Sequence, residues 1–150
     1  MCIRDRVESV IAVSMKEDDI ERLMAWPHIN FCTDGGLVGT HPRGFGAFPR
    51  VLGHYVRERQ VMTLEEAIHK MTAGAAFSHG IHDRGLIEPG AYADLVLFDP
   101  ETVSDRATTE EPRARAEGIE GVWINGHLIY RNGREIRHRY GKVLRRQPIS

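Results

Sequence analysis

The sequence predicts an α/β front followed by an antiparallel β back, with the change near residue 80. Three observations predict it. Apolar runs at Val7–Val13 and His28–Thr33 flank a stretch of helical spacing, the strand–helix–strand unit of a parallel sheet. Two further stretches repeat apolar residues at helical intervals before Gly80. Beyond Gly80, short apolar strands alternate with Asn-Gly turns, the strongest short hairpin signal.

Each element has its own justification. VESVIAV at 7–13 is β-branched and reads as a buried strand. Ser14 to Glu17 reads as a capping box with Ser14 as N-cap, and the helix behind it puts Ile20, Leu23 and Met24 on one face until Pro27 ends it. His28–Thr33 is the second strand, stopped by Asp34-Gly35-Gly36. Residues 35–46 carry five glycines and Pro42; a loop so costly to order usually has a job or stays disordered. Phe48, Val51, Leu52, Tyr55 and Val56 fall at amphipathic helical spacing. Thr63 to Glu66 is a second capping box, whose helix buries Leu64, Ala67, Ile68 and Met71 and reaches as far as Phe77. Pro89-Gly90 turns the chain into a strand over Ala93–Asp99, ended by Pro100. Residues 101–117 are polar and read as a loop. Asn125-Gly126 joins Val122–Ile124 to His127–Tyr130, and Asn132-Gly133 repeats the turn before Arg134–Ile136. There is no internal repeat.

Composition narrows the function classes. At 150 residues, 41% hydrophobic and 27% charged, the chain has the profile of a soluble globular protein. A formal net charge of -1 gives no basic field for nucleic acid. No window reaches the roughly 18 apolar residues of a membrane span, and the N-terminus lacks the pattern of a secretory signal. Cys2 and Cys32 make no disulfide scaffold, which points to a reducing, cytoplasmic setting. The first six residues, MCIRDR, look unlike the rest and carry no functional weight here.

The chemistry-bearing candidates cluster around the glycine loop. Asp34 stands at the C-terminal end of a parallel strand, the edge where active sites of barrels and open sheets form. A carboxylate there serves as a general base or a metal ligand. Locally, an Asp bonding backbone amides in its own turn explains it as well, and that reading leads, since Asp-Gly turns are common. Arg43 has the planar fork suited to a carboxylate or phosphate, or is a solvated loop arginine. His41 beside Pro42 is weak by itself. His79 and His82, three apart, lack the third and fourth ligands of a tetrahedral site, so no metal ligand is assigned. The loop is no phosphate loop: GxxxxGK[ST] and GxGxxG are both missing. Cys32 reads as packing.

The run CTDGGLVGTHPRGFGAFPRVLGHYVRER resembles the C-terminal part of the N-acyl-D-amino-acid deacylases (D-aminoacylases) of the amidohydrolase superfamily, as do GLIEPGAYADLVLFDP and GIEGVWINGHLIYRNG. TDG, then HPR, then FPRVLG are fairly specific to this branch; ADLVLFD and the Asn-Gly hairpin are shared more widely. The resemblance implies a metal-dependent hydrolase, with zinc as cofactor and a small N-acyl amino acid as substrate. It implies a (β/α)8 barrel with a small β-sandwich, residues 1–80 holding the last barrel units and 81–150 part of the sandwich. Asp34 matches the aspartate that takes a proton from the metal-bound water and passes it to the leaving amine, which displaces the turn reading. Arg43 matches the arginine that grips the substrate's α-carboxylate, with His41 in the same motif. The family's N-terminal HxH is missing, and a complete barrel needs about 250 residues. The expectation is therefore a C-terminal fragment that neither holds the metal nor turns over substrate alone. The alternatives are a hydrolase of cyclic amides (dihydroorotase- or hydantoinase-like) and a non-catalytic module that binds a partner or completes a barrel.

Overall fold

A computed structural model of the chain describes residues 15–35 and 41–145. The run Val7–Val13, Ser14 and the loop residues Gly36 and Gly39 lie outside the described residues.

The first helix, α1 (Glu17–Ala25), starts with three acidic residues, Glu17, Asp18 and Asp19, which favour its positive end. Its N-cap position is Lys16, with no side-chain cap. Glu17 is thus the first helical residue, too early to close a box with Ser14. Met24 is buried and Ile20 packs on the core, but Leu23, expected beside them, is 42% exposed.

The expected strand His28–Thr33 is not a strand. A strand exists by its ladder, and no strand among the described residues pairs with this one. The segment is tied instead to a later helix: Phe31 N donates to Lys70 O at 3.2 Å. The buried Lys70 ammonium reaches on to Met24 O at 2.6 Å, neutralising a carbonyl in the last turn of α1.

Helix α2 (Arg43–Arg50) begins before the expected Phe48 and continues as a π-helical segment, Val51–Glu58. Pro49 has no N–H for the ladder, and the wider bonding starts just past it. The expected face is largely inside: Val51, Leu52 and Tyr55 are buried. Helix α3 (Leu64–Met71) carries the predicted capping box in full: Glu66 N donates to Thr63 Oγ1 at 3.2 Å and Thr63 N to Glu66 Oε2 at 2.9 Å. It does not reach Phe77. Thr72, at φ −126° and ψ −94°, breaks the coil, its hydroxyl donating back to Ile68 O at 2.7 Å. A separate α4 (Ala73–Ser78) follows.

The second half forms one antiparallel sheet in the order β1 (Leu95–Phe98), β2 (Ile119–Ile124), β3 (His127–Arg131), β4 (Arg134–Glu135). Asn125 (φ 51°) and Gly126 (φ 80°), then Asn132 (φ 45°) and Gly133 (φ 84°), supply the paired left-handed conformations of tight hairpin turns. Residues 101–117 run as a loop except for one bridge, Ser104 to Glu117. That loop carries Val103, 1% exposed, into the helical core against Val51, Leu52 and Tyr55. Arg57 fastens it there, donating to Pro100 O at 3.0 Å and Val103 O at 2.7 Å. Arg84, buried, pairs with Asp94, donates to Asn125 Oδ1 at 2.7 Å and lies 4.3 Å over the Tyr92 ring. Asp94 in turn accepts from Asn125 N at 2.7 Å, so one carboxylate and one guanidinium brace the first hairpin turn. Among the described residues no helix is long and apolar enough to cross a membrane.

Candidate active site

Asp34 ends the extended segment at φ 46°, a left-handed conformation that aspartate tolerates better than most residues. Gly35 N is taken by Thr33 Oγ1 at 3.2 Å. Arg43 opens α2, and its side chain turns back across the loop: Nη2 lies 2.7 Å from Asp34 Oδ2, and Nε donates to the Asp34 carbonyl at 3.3 Å. His41 Nδ1 accepts from Arg43 N at 3.1 Å, so a neutral His41 ring carries its proton on Nε2. The three residues singled out in the sequence therefore sit together. The Asp34 and Arg43 side chains are 73% and 50% exposed, so the pair adds little to stability and both groups are open to a solute.

His41 and Arg43 form one end of an open pocket of about 390 Å³. The rest of its wall comes from α2, the π segment and the 101–117 loop, through Gly46, Arg50, Tyr55 and Asp105. Arg50 Nη1 approaches Asp105 Oδ2 at 3.5 Å and its guanidinium lies 5.9 Å over the Tyr55 ring. Burial works against the Arg50 charge, but Asp105 and Tyr55 outweigh it and its pKa is raised. Burial, then a hydrogen bond to Glu17, pushes the Tyr55 hydroxyl up as well. Sequence reasoning missed Arg50 and Asp105 as pocket residues. Arg50 lies inside the FPRVLG motif, which could have flagged it; Asp105 lies in a polar loop with no local signal.

The other candidates do not join this site. His79 Nδ1 lies 2.8 Å from Ala75 O at the end of α4, and His82 meets Phe77 edge-on at 5.8 Å. Cys32 is exposed rather than packed, because no described element covers that side of the segment. Among the described residues no group of three or more His, Cys, Asp or Glu could hold a metal ion. The described donor set does not fit a metal.

Comparison with known proteins agrees with these motifs. The sequence is 42% identical over 134 residues to a D-aminoacylase from Alcaligenes xylosoxydans xylosoxydans, an overlap of 88% of this chain and 28% of that one. A crystal structure of D-aminoacylase superposes with a TM-score of 0.84 at 43% identity, over 88% of this chain and 28% of that one. The N-acyl-D-glutamate deacylase of Bordetella bronchiseptica, solved with zinc and a phosphonate mimic of the tetrahedral intermediate, superposes at 0.75 with 45% identity, over 80% and 26%. The chain thus spans little more than a quarter of the length of these relatives. The pattern of the amidohydrolase family matches residues 11–130, and the chain belongs to that family.

Proposed function

We propose that this chain supplies the proton-transferring carboxylate and the substrate clamp of an enzyme that hydrolyses N-acyl-D-amino acids to a D-amino acid and a carboxylic acid. The observation that carries the reading is the pairing of Asp34 with Arg43, which with His41 also lines a pocket. In this reading residues 1–80 are barrel units and 81–150 part of a β-sandwich. The zinc of the Bordetella relative makes zinc the proposed cofactor, its ligands lying outside the residues described; when bound it would activate water.

The remaining chemistry follows from this chain's groups. Arg43 offers a planar set of N–H donors that a carboxylate can engage two at a time, which a lysine cannot reproduce. When the substrate α-carboxylate takes up that guanidinium, the Asp34 carboxylate is released from its partner. Water attacks the amide carbon, Asp34 accepts the water's proton, the C–N bond breaks, and Asp34 returns the proton to the leaving nitrogen. His41, donating from Nε2, is the second group for the substrate carboxylate or acyl oxygen.

The test grafts the matched 134 residues into the Alcaligenes D-aminoacylase in place of its own. The zinc-loaded graft should release D-amino acid from N-acyl-D-amino acids and lose that activity on Asp34→Asn. A graft that stays active after Asp34→Asn removes Asp34 from the mechanism. The 150-residue chain with zinc alone should show no turnover; turnover at the rate of the D-aminoacylase would remove the need for any partner sequence.

A further inference from the structure

Asp34 and Arg43 are each followed by a glycine, and those two glycines touch. A Cβ built on Gly35 would lie 2.6 Å from Gly44 Cα and 3.3 Å from Gly44 O. Real side chains do not approach backbone that closely, so any residue but glycine at 35 must push the first turn of α2 away. The reverse substitution is open: a Cβ on Gly44 would lie 3.5 Å from Gly35 Cα, an ordinary contact. Gly35 has no positive φ, so alanine there is barred by the neighbour and not by its own backbone.

We infer that the Gly35–Gly44 contact is a backbone clasp that positions the Arg43 guanidinium on Asp34, with Gly35 as the positioning residue. The inference rests on the Asp34–Arg43 site described above and adds to it what sets its spacing. The geometry explains why one arginine reaches two acceptors on the same residue. With the backbones in contact, Nε meets the Asp34 carbonyl at 3.3 Å while Nη2 meets the carboxylate at 2.7 Å. An arginine held farther off reaches the carboxylate only end-on and loses the carbonyl. The clasp thus holds base and clamp at one fixed separation although the connecting loop is rich in glycine. It is also asymmetric. Gly44 is the second residue of α2, where alanine is the better helix former, so Gly44→Ala should leave the clasp intact and firm the helix.

The experiment is ¹⁵N NMR of the Arg43 guanidinium in the 150-residue chain. Rotation about Nε–Cζ is restrained when both Nε and Nη are engaged, which separates the Nη signals. The wild type and Gly44→Ala should show separated Arg43 signals. Gly35→Ala should merge them into one, as Asp34→Ala must, while the hairpin amides around Asn125 keep their shifts. A Gly35→Ala protein with separated signals, or a Gly44→Ala protein that merges them equally, overturns the inference. Should Gly35→Ala fold poorly, the wild type alone decides: a strong NOE between the Gly35 and Gly44 Hα protons supports the clasp, and its absence overturns it. None of these readouts needs substrate, so an inactive graft would remove the hydrolase reading and leave the clasp standing. In an active graft, Gly35→Ala should lower kcat/KM by about 10²-fold, the cost of a misplacement near 1 Å, with Gly44→Ala close to wild type.

Discussion

The sheet from Leu95 to Glu135 and the segment from His28 to Gly46 are held by opposite means. The sheet closes on itself: β2, β3 and β4 are joined by two-residue turns, and Arg84 with Asp94 locks the first of these from the inside. Among its described residues, the site segment is tied by Phe31 N to Lys70 O, by Asn30 Nδ2 to Ser78 Oγ at 2.8 Å, by the Gly35–Gly44 contact and by one exposed ion pair. Antiparallel strands find their partners next door in sequence, whereas a parallel strand needs a neighbour brought by a crossover. The comparison teaches that this chain closes its sheet through near neighbours in sequence and holds its site segment through α3 and α4, about 40 residues farther along.

The largest expected effect separates the two regions by readout. Asp34→Asn in the graft should lower kcat by about 10²–10⁴-fold, the usual worth of a positioned proton-transfer group. Its side chain is 73% exposed, so the thermal unfolding of the chain should barely move. Arg84→Met should do the reverse. It removes the buried guanidinium from Asp94 and Asn125 Oδ1 and should cost about 1–3 kcal/mol, read from denaturant unfolding of the chain. An Asp34→Asn chain that unfolds as easily as Arg84→Met would break the contrast. Arg43→Lys keeps the charge but not the fork. Losing one charged hydrogen bond, worth about 1.5–3 kcal/mol, should raise KM roughly 10- to 100-fold with kcat little changed.

What the sequence made legible follows the same division. Asn125-Gly126, Asn132-Gly133 and the Thr63–Glu66 box are signals contained in two to four adjacent residues, and all three appear where expected. His28–Thr33 has the right composition for a strand, but composition does not supply a ladder partner. The break at Thr72 is a single-residue departure from helical geometry (φ −126°, ψ −94°), which no period of apolar residues announces. At the site, Asp34, His41 and Arg43 were singled out through the family motif, and the structure brings the three residues together. Asp105 was not, because it reaches the pocket from a different part of the chain. The Gly35–Gly44 contact was equally hidden: five glycines in one loop look alike until the backbone shows which one is crowded.

Smaller effects sharpen the contrast within the scaffold. Thr63→Ala removes one half of a reciprocal cap and should cost about 1 kcal/mol, seen as lost amide protection at Glu66 and the first turn of α3. A loss confined to α3 fits a scaffold of local units; a loss spread through the sheet would show the two halves unfolding as one.

The smallest effect is expected at Arg106 and Glu117, an ion pair whose side chains are 58% and 56% exposed. The Arg106 guanidinium hydrogen-bonds the Glu117 carboxylate and holds its pKa below the ordinary 4.5. A carboxyl lowered on folding stabilises the fold above its unfolded value, and that contribution is lost as pH falls through the folded value. Glu117→Gln should therefore differ slightly from wild type at neutral pH, and the difference should shrink as pH falls below 4.5. Water and ions screen such a pair, so about 1 M salt should erase the neutral-pH difference too. The Arg84→Met defect should survive the same salt, because that guanidinium is 9% exposed and braces a turn from inside. Equal salt sensitivity in both variants would mean that the Arg84 brace is as open to water as the surface pair, and the sheet would then owe its closure to turn chemistry alone.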